Sequence, residues 1–427
     1  MNKETLRLAL PNIISNISVP LLSTVDTALM GRLSEVHIAA VGVGAMLFNF
    51  IYWNFGFLRM GTTGITAQAF GRMDSTAIGQ TLWRALLIVA SVACFLIIFQ
   101  TPICKAAFWL LNVSEEQLPL VNSYFRIRIW AAPASLGLFA CMGWFFGMQN
   151  AIYPLLITLI VNAVNVVLNF VLVLQFKMDA DGVAYSTLIA QYVGLCVAVG
   201  LLWYKYRSYL VHTDYRAVLA WKKLRAFLLI NRDIFIRTLC LTLSFALFYN
   251  QSAKYGDLIL ATNVILLQFV NWMSYAIDGF AYAAESLVGK YHGARQSQQT
   301  QDAVRTAFIW AMVLAGVFSG IYLFLGTSIL HLFTNQTDVI ATALPYLFWM
   351  TLFPLFSTPC YIWDGVFIGL TASVGMRNSM LVAFGIFLIA IFTLPIIYQN
   401  HGLWAALLLF LFVRGAFQQW LYQTGRI

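Results

Sequence analysis

A chain of 427 residues with 61% hydrophobic, 15% aromatic and only 10% charged residues has too little polar surface for a water-soluble protein, which carries about 25% charged residues. Soluble enzymes and nucleic-acid-binding modules are thereby excluded. The formal charge of +9, from 25 Lys/Arg against 16 Asp/Glu, reads instead as membrane topology.

A helix that crosses a bilayer needs about 20 mainly apolar residues. Such stretches are predicted at 8–31, 39–69, 79–101, 119–147, 152–176, 182–206, 233–253, 258–288, 303–327, 339–369, 377–398 and 402–423. The first is read as a retained span, because no A-x-A-like cleavage site follows it. Alternating apolar and polar residues in ten-residue units are absent, which argues against a transmembrane β-barrel. The expected fold is all-α, with twelve transmembrane helices in two six-helix lobes.

Basic residues set the orientation. With both termini inside, Lys3, Arg7, Arg72, Lys205, Arg207, Arg216, Lys222, Lys223, Arg225, Arg232, Lys290, Arg295, Arg377 and Arg426 fall on the cytoplasmic side. Arg32, Lys105, Lys177 and Lys254 fall outside, the bias of the positive-inside rule. The longest basic stretch lies midway, so the chain divides into an N-terminal lobe at 1–206, a cytoplasmic linker at 207–232 and a C-terminal lobe at 233–427. The six cysteines lie in or beside apolar segments with no C-x-x-C pair, which predicts neither a disulfide framework nor a metal site. His37, His292, His331 and His401 are read as loop residues and His212 as part of the linker.

The halves echo one another at an offset near 218–222 residues. Gly61 to Gly71 matches Gly279 to Gly289, Gly143-x-x-x-Gly147 matches Gly365-x-x-x-Gly369, and Asp181-Gly182 matches His401-Gly402. Six spans separate the copies, so both run in the same direction across the membrane.

Carboxylates inside apolar spans are costly, about 2.5–3.5 kcal/mol each at the bilayer centre. Asp26 lies in span one, downstream of Pro11 and Pro20, which permit bending. A carboxyl group in an apolar pocket gains proton affinity, so Asp26 is a candidate coupling acid. Asn162, Asn165 and Asn169 fall at i, i+3 and i+7 of span five and share one face. Together with Thr187 they form a candidate polar partner set, to be weighed against plain interhelical hydrogen bonding. Asp278 and Glu285 lie seven apart on span eight, and Asp364 lies two spans later. They are read as a second cation or substrate site, against a bland alternative of pairing with buried arginines such as Arg59 or Arg305. Through the duplication they fall opposite Met60, Ala67 and Met142.

Several strings resemble one transporter family. Leu8-Ala9-Leu10-Pro11, Val25-Asp26-Thr27 and the span-five asparagines are similar to the multidrug and toxic compound extrusion (MATE) transporters. Phe57-Leu58-Arg59-Met60-Gly61-Thr62-Thr63-Gly64, Thr66-Ala67-Gln68-Ala69-Phe70-Gly71, Asn231-Arg232-Asp233, Asp278-Gly279-Phe280-Ala281-Tyr282-Ala283, Asp364-Gly365-Val366-Phe367-Ile368-Gly369 and Met376-Arg377-Asn378-Ser379-Met380 resemble its DNA-damage-inducible (DinF-type) branch. The resemblance implies efflux of small amphipathic, mostly cationic drugs or dyes in exchange for H⁺ or Na⁺, without a cofactor, by a monomer in the bacterial cytoplasmic (inner) membrane. It also implies that Asp26 is the coupling acid, that Pro11 marks the bend, and that Asn165 and Thr187 are polar neighbours of that acid. Asn169 stands where the family often has Asp, which removes a hard anionic ligand and favours protons over Na⁺. A lipid or lipid-linked oligosaccharide flippase on a related scaffold is the alternative, and would favour a cationic cavity. Neither a nucleotide loop nor H-E-x-x-H or G-x-S-x-G is present, so an enzyme is not expected.

Overall fold

The computed structural model describes residues 1–426 apart from 31–34, 111–113, 116, 212 and 214; within helices, the side chains of 19–30, 35–40, 110 and 215 also lie outside the described residues. The described residues are almost wholly helical. By internal contacts the chain forms two units, residues 14–228 in one and residues 1–13 with 229–427 in the other. The long first helix, α1 (Asn2–Met30), therefore contributes to both, changing over two residues after Pro11.

The first unit continues with α2 (Glu35–Asn54), α3 (Phe57–Gly71), α4 (Ser75–Ile98), α5 (Gln100–Leu110), α6 (Leu118–Arg128), α7 (Ala132–Gly147), α8 (Ile152–Asn169), α9 (Asp179–Val211) and α10 (Tyr215–Val218). The second contains most of α11 (Trp221–Ala253), then α12 (Asp257–Gly293), α13 (Ser297–Phe333), α14 (Thr337–Ala343), α15 (Leu347–Gly369) and α16 (Ser373–Gln423). Among the described residues nine helical stretches are long and apolar enough to cross a membrane. One of them, α16, breaks at Gln399, whose φ of 49° and ψ of −129° are not helical, so it supplies two crossings. Adding α1 and the apolar second half of α11 gives the twelve crossings expected from hydropathy.

From α3 to the turn at Gln399 the duplication is built into backbone geometry at an offset of 222 residues; beyond it Gly182 and Gly402, 220 apart, lie against the equivalent Leu172 and Leu394. Six of the seven left-handed non-glycine residues among those described form matching pairs, Asp179 being the exception: Met73 (φ 56°) with Arg295 (φ 58°), Gln149 (φ 60°) with Thr371 (φ 54°), and Lys177 (φ 54°) with Gln399 (φ 49°). The helix crossings match too. A β-carbon on Gly143 would stand 2.3 Å from the carbonyl oxygen of Arg59, and one on Gly365 would stand 2.2 Å from that of Ala281. These contacts correct the pairing drawn from the glycines of α3 and α12, which is slipped by four residues. A four-residue slip is about one helical turn and keeps the same face inward, so spacing alone could not exclude it. In the structural register Asp278 and Glu285 stand opposite Gly56 and Thr63, and Asp364 stays opposite Met142.

The basic stretch between the lobes is folded onto the first unit. Arg84 of α4 donates to the carbonyls of Ala217 (2.7 Å) and Val218 (3.1 Å), and Lys223 reaches Gln80 (3.4 Å). The two Arg84 bonds satisfy carbonyls that the four-residue α10 leaves unpaired. His292, His331 and His401 lie in helices, not in loops.

Candidate functional site

The predicted asparagine face of α8 is present and faces partners in its own unit. Asn169 and Asn165 are buried, at 0% and 2% exposure. Asn169 donates its amide to the Asn165 side-chain oxygen (3.0 Å), and Asn165 donates to the Thr187 hydroxyl on α9 (3.1 Å). Thr187 passes the chain on to the carbonyl of Val183 (3.0 Å). Three polar side chains are thus linked in one direction, from α8 into α9. Asn169 stands where α8 gives way to a π-helical turn over Phe170–Gln175, a widening of the helix common at functional sites. That turn carries no sequence signal.

The same face of α8 also meets α1. Ser15 donates to the Thr158 hydroxyl (3.0 Å), and Asn162 donates to the Ser18 hydroxyl (3.0 Å). Asp26 falls on the backbone of α1, but its side chain lies outside the described residues, as does that of Pro20. Pro11 is half-buried, and α1 runs through it without losing helical geometry. Beside it the chain is stitched by the Asn12 amide, which bonds the Leu8 carbonyl (2.9 Å).

The three acids of the second predicted group have different surroundings. Asp364 is buried, and one of its oxygens accepts from both Arg237 of α11 and Arg414 of α16. The other accepts from Gln418 (2.8 Å). Arg414 and Gln418 are both 0% exposed. Arginine pairing, with Arg237 and Arg414 in place of Arg59 or Arg305, holds for Asp364. Arg305 is exposed, and Arg59 lies in the other unit with its guanidinium 5.9 Å from the centre of the Phe146 ring. Asp278 is half-buried and close enough to act electrostatically on Arg414. Glu285 is 1% exposed, and its backbone carbonyl faces Gly369. Two guanidinium groups therefore neutralise Asp364 through one of its oxygens, while the other meets only the neutral amide of Gln418.

Two polar clusters were not foreseen. Asp233, 1% exposed, accepts from Arg377 (2.9 Å) and Ser373 (3.0 Å), joining α11 to α16. It thereby unites the Asn231-Arg232-Asp233 and Met376-Arg377 strings, which sequence reading left separate. Asn263 and Asn400 exchange amide bonds (2.7 and 3.1 Å), and Trp404 donates to the same Asn263 oxygen (2.9 Å). Among the described residues neither cluster is repeated in the first unit. Phe387 and Ile391 occupy the places equivalent to Asn165 and Asn169, so the relay has no copy in the second.

Two duplicated units of helices long and apolar enough to cross a membrane, each with its own buried polar cluster, make a polytopic membrane protein, and its likeness to known proteins gives the class. The MatE family model matches residues 11–171 and 234–398, once in each half; the chain belongs to the MatE family, whose members are transporters and not enzymes. It is 38% identical to DNA damage-inducible protein F of Escherichia coli K12, over 97% of this chain and 90% of that protein. It is 22% identical to the probable multidrug resistance protein NorM of Chromobacterium violaceum, over 96% and 90%. The fold matches a solved structure described as the outward-facing conformation of a multidrug resistance MATE family transporter, with a TM-score of 0.88 at 17% identity, covering 99% and 95% of the two chains. It also matches the Vibrio cholerae MATE transporter VcmN in the bent form, with a TM-score of 0.87 at 18% identity, covering 99% and 96%.

Proposed function

We propose that this MatE-family chain is a secondary antiporter that exports small amphipathic, mostly cationic compounds from the cytoplasm in exchange for H⁺, with Asp26 as the coupling acid. It would work as a monomer in the bacterial cytoplasmic membrane with both termini inside, and needs no cofactor beyond the ion gradient. The observation that carries this reading is the buried Asn169–Asn165–Thr187 relay on the face of α8 that pairs with α1. Ser15 with Thr158 and Ser18 with Asn162 are separated by 143 and 144 residues. That offset, carried on along both helices, brings position 26 level with Asn169. Amides and a hydroxyl beside a carboxyl group can stabilise either of its protonation states.

Protons are favoured over Na⁺ for two reasons. Asn169 supplies a neutral oxygen, whereas a hard cation is best held by several anionic ones. In the second unit Asp364 is already engaged by Arg237 and Arg414. Proton uptake at Asp26 would favour a bent α1, with Pro11 and Pro20 permitting the bend, and release of the drug. Loss of the proton to the cytoplasm would restore the drug-accepting form. A tenfold bias between two states corresponds to about 1.4 kcal/mol, which one unit of pKa shift supplies.

The test is transport in proteoliposomes under separately imposed proton and sodium gradients, with a panel of cationic and anionic dyes. Wild type should export cationic dyes in response to the proton gradient, and Asp26→Asn should not, at equal reconstitution. Export by Asp26→Asn at the wild-type rate sinks the reading. A sodium-only response moves the coupling to the other ion.

A further inference from the structure

Two amphipathic helix faces in the first unit meet across a cavity that the transport reading does not use. Thr101, Lys105 and Phe108 recur at helical spacing on α5, and Leu118, Asn122 and Arg126 do so on α6. They line a cavity of about 300 Å³, the lower end of the range for small-molecule sites. Its floor is apolar, and among the described residues its two charged lining side chains, Lys105 and Arg126, are both cationic. The Arg126 Nε donates to the Asn122 side-chain oxygen (3.3 Å), which also accepts from the Cys104 thiol (3.6 Å). That shared acceptor steers the guanidinium over the cavity.

The chain flanking the cavity is apolar and faces outward. Phe95 and Ile98 close α4 and Phe99 follows it, immediately before the cavity residue Gln100, and all three are exposed. Trp109, 77% exposed, follows Lys105 by one helical turn and shares its face. An exposed indole beside a lysine is the pattern of a membrane interface, where the ring anchors at headgroup depth. A soluble anion has no use for such surroundings, whereas a lipid places its phosphate among the cations and its chains along the apolar face. Basic pockets between membrane helices on the cytoplasmic face hold anionic headgroups by the same pairing; with both termini inside, Lys105 falls outside, so the headgroup here belongs to the outer leaflet.

We propose that the α5/α6 cavity is a binding site for an anionic phospholipid, with Lys105 and Arg126 holding the headgroup phosphate and Asn122 orienting Arg126. The site is separate from the Asn165–Thr187 relay and does not depend on the antiport reading.

Native mass spectrometry of the full chain tests the proposal, using phosphatidylglycerol, phosphatidylethanolamine and inorganic phosphate as separate probes. The wild type should retain phosphatidylglycerol through detergent exchange. Lys105→Gln with Arg126→Gln should lower that retention about 30-fold, from about 1 kcal/mol per basic residue near a lipid surface. Both side chains are exposed, so the double variant should keep its helical circular dichroism. Arg126→Lys keeps the charge and should retain the lipid, as should Lys254→Gln, which removes an exposed cation from the other unit. The proposal is overturned if the double variant holds phosphatidylglycerol like the wild type. It is equally overturned if phosphatidylethanolamine or inorganic phosphate occupies the site as well as phosphatidylglycerol does.

Discussion

Gly365 lies against the backbone of Ala281, so closely that a β-carbon on it would stand 2.2 Å from the Ala281 carbonyl oxygen. The obstructing atom is backbone and cannot rotate away. Gly143 against Arg59 repeats the contact in the other unit. Without a water-driven hydrophobic effect between helices in lipid, such close backbone approach is a main source of packing energy. Gly365→Val is expected to lower stability by about 1–3 kcal/mol through overpacking. Gly320→Ala, inside α13 with nothing within 4 Å of the new carbon, should be neutral or stabilise by up to about 1 kcal/mol, because alanine favours the helix. Thermal unfolding of the purified protein, followed by tryptophan fluorescence, separates the two outcomes.

The Arg237–Asp364–Arg414 cluster predicts an asymmetry between breaking and replacing. Asp364→Ala strands two buried guanidinium groups and should cost about 3–5 kcal/mol. Replacing all three residues, by Arg237→Met, Asp364→Leu and Arg414→Met, should restore most of that stability, because the guanidinium groups leave together with the carboxylate that neutralises them. If the triple variant is as unstable as the single one in denaturant unfolding, the cluster holds the unit together by more than mutual neutralisation.

The relay should influence coupling as well as packing. Asn165→Val removes the bridge between Asn169 and Thr187 and should cost about 1–3 kcal/mol, the penalty for buried polar groups losing partners. If the relay sets the proton affinity of the coupling acid, the pH midpoint of dye export should move as well. An unmoved midpoint at reduced stability would assign the relay a packing role alone.

At the start of α1, Glu4 accepts from Tyr291 (2.6 Å) and pairs with Lys290 (3.3 Å), both at the end of α12. Partial burial opposes ionisation of Glu4, but the Tyr291 hydrogen bond and the Lys290 ammonium outweigh it and hold the carboxyl below its ordinary value. A carboxyl group lowered on folding stabilises the fold at pH values above its unfolded pKa. That contribution fades as the pH falls through the folded value. Thermal stability should therefore drop less on acidification in Glu4→Gln than in wild type, and the two curves should converge at low pH. Parallel curves would show that the contact does not contribute to acid sensitivity.

Hydropathy made the twelve crossings legible, because the need for about 20 apolar residues is a property of each segment by itself. The asparagine face of α8 was legible for a similar reason, since the 3.6-residue period alone puts Asn162, Asn165 and Asn169 together. Long-range matters were not. Arg237 and Arg414 reach Asp364 from 127 and 50 residues away in the chain, and no local pattern says which buried arginine meets which acid. The same limit applies to Asp278 and Glu285, which share a face of α12 while one is half-buried and the other almost fully enclosed.

The sequence by itself determined that the chain crosses a bilayer, how many times, and that its halves are copies, because each follows from composition, local period or self-similarity. The tertiary structure alone decided the 222-residue register and the arginine partners of Asp364. It also decided the π-helical turn beneath Asn169. Helices with one inward face pack almost equally well when slipped by a turn, and only the fit of backbone against backbone, as at Gly365 and Ala281, selects between those packings.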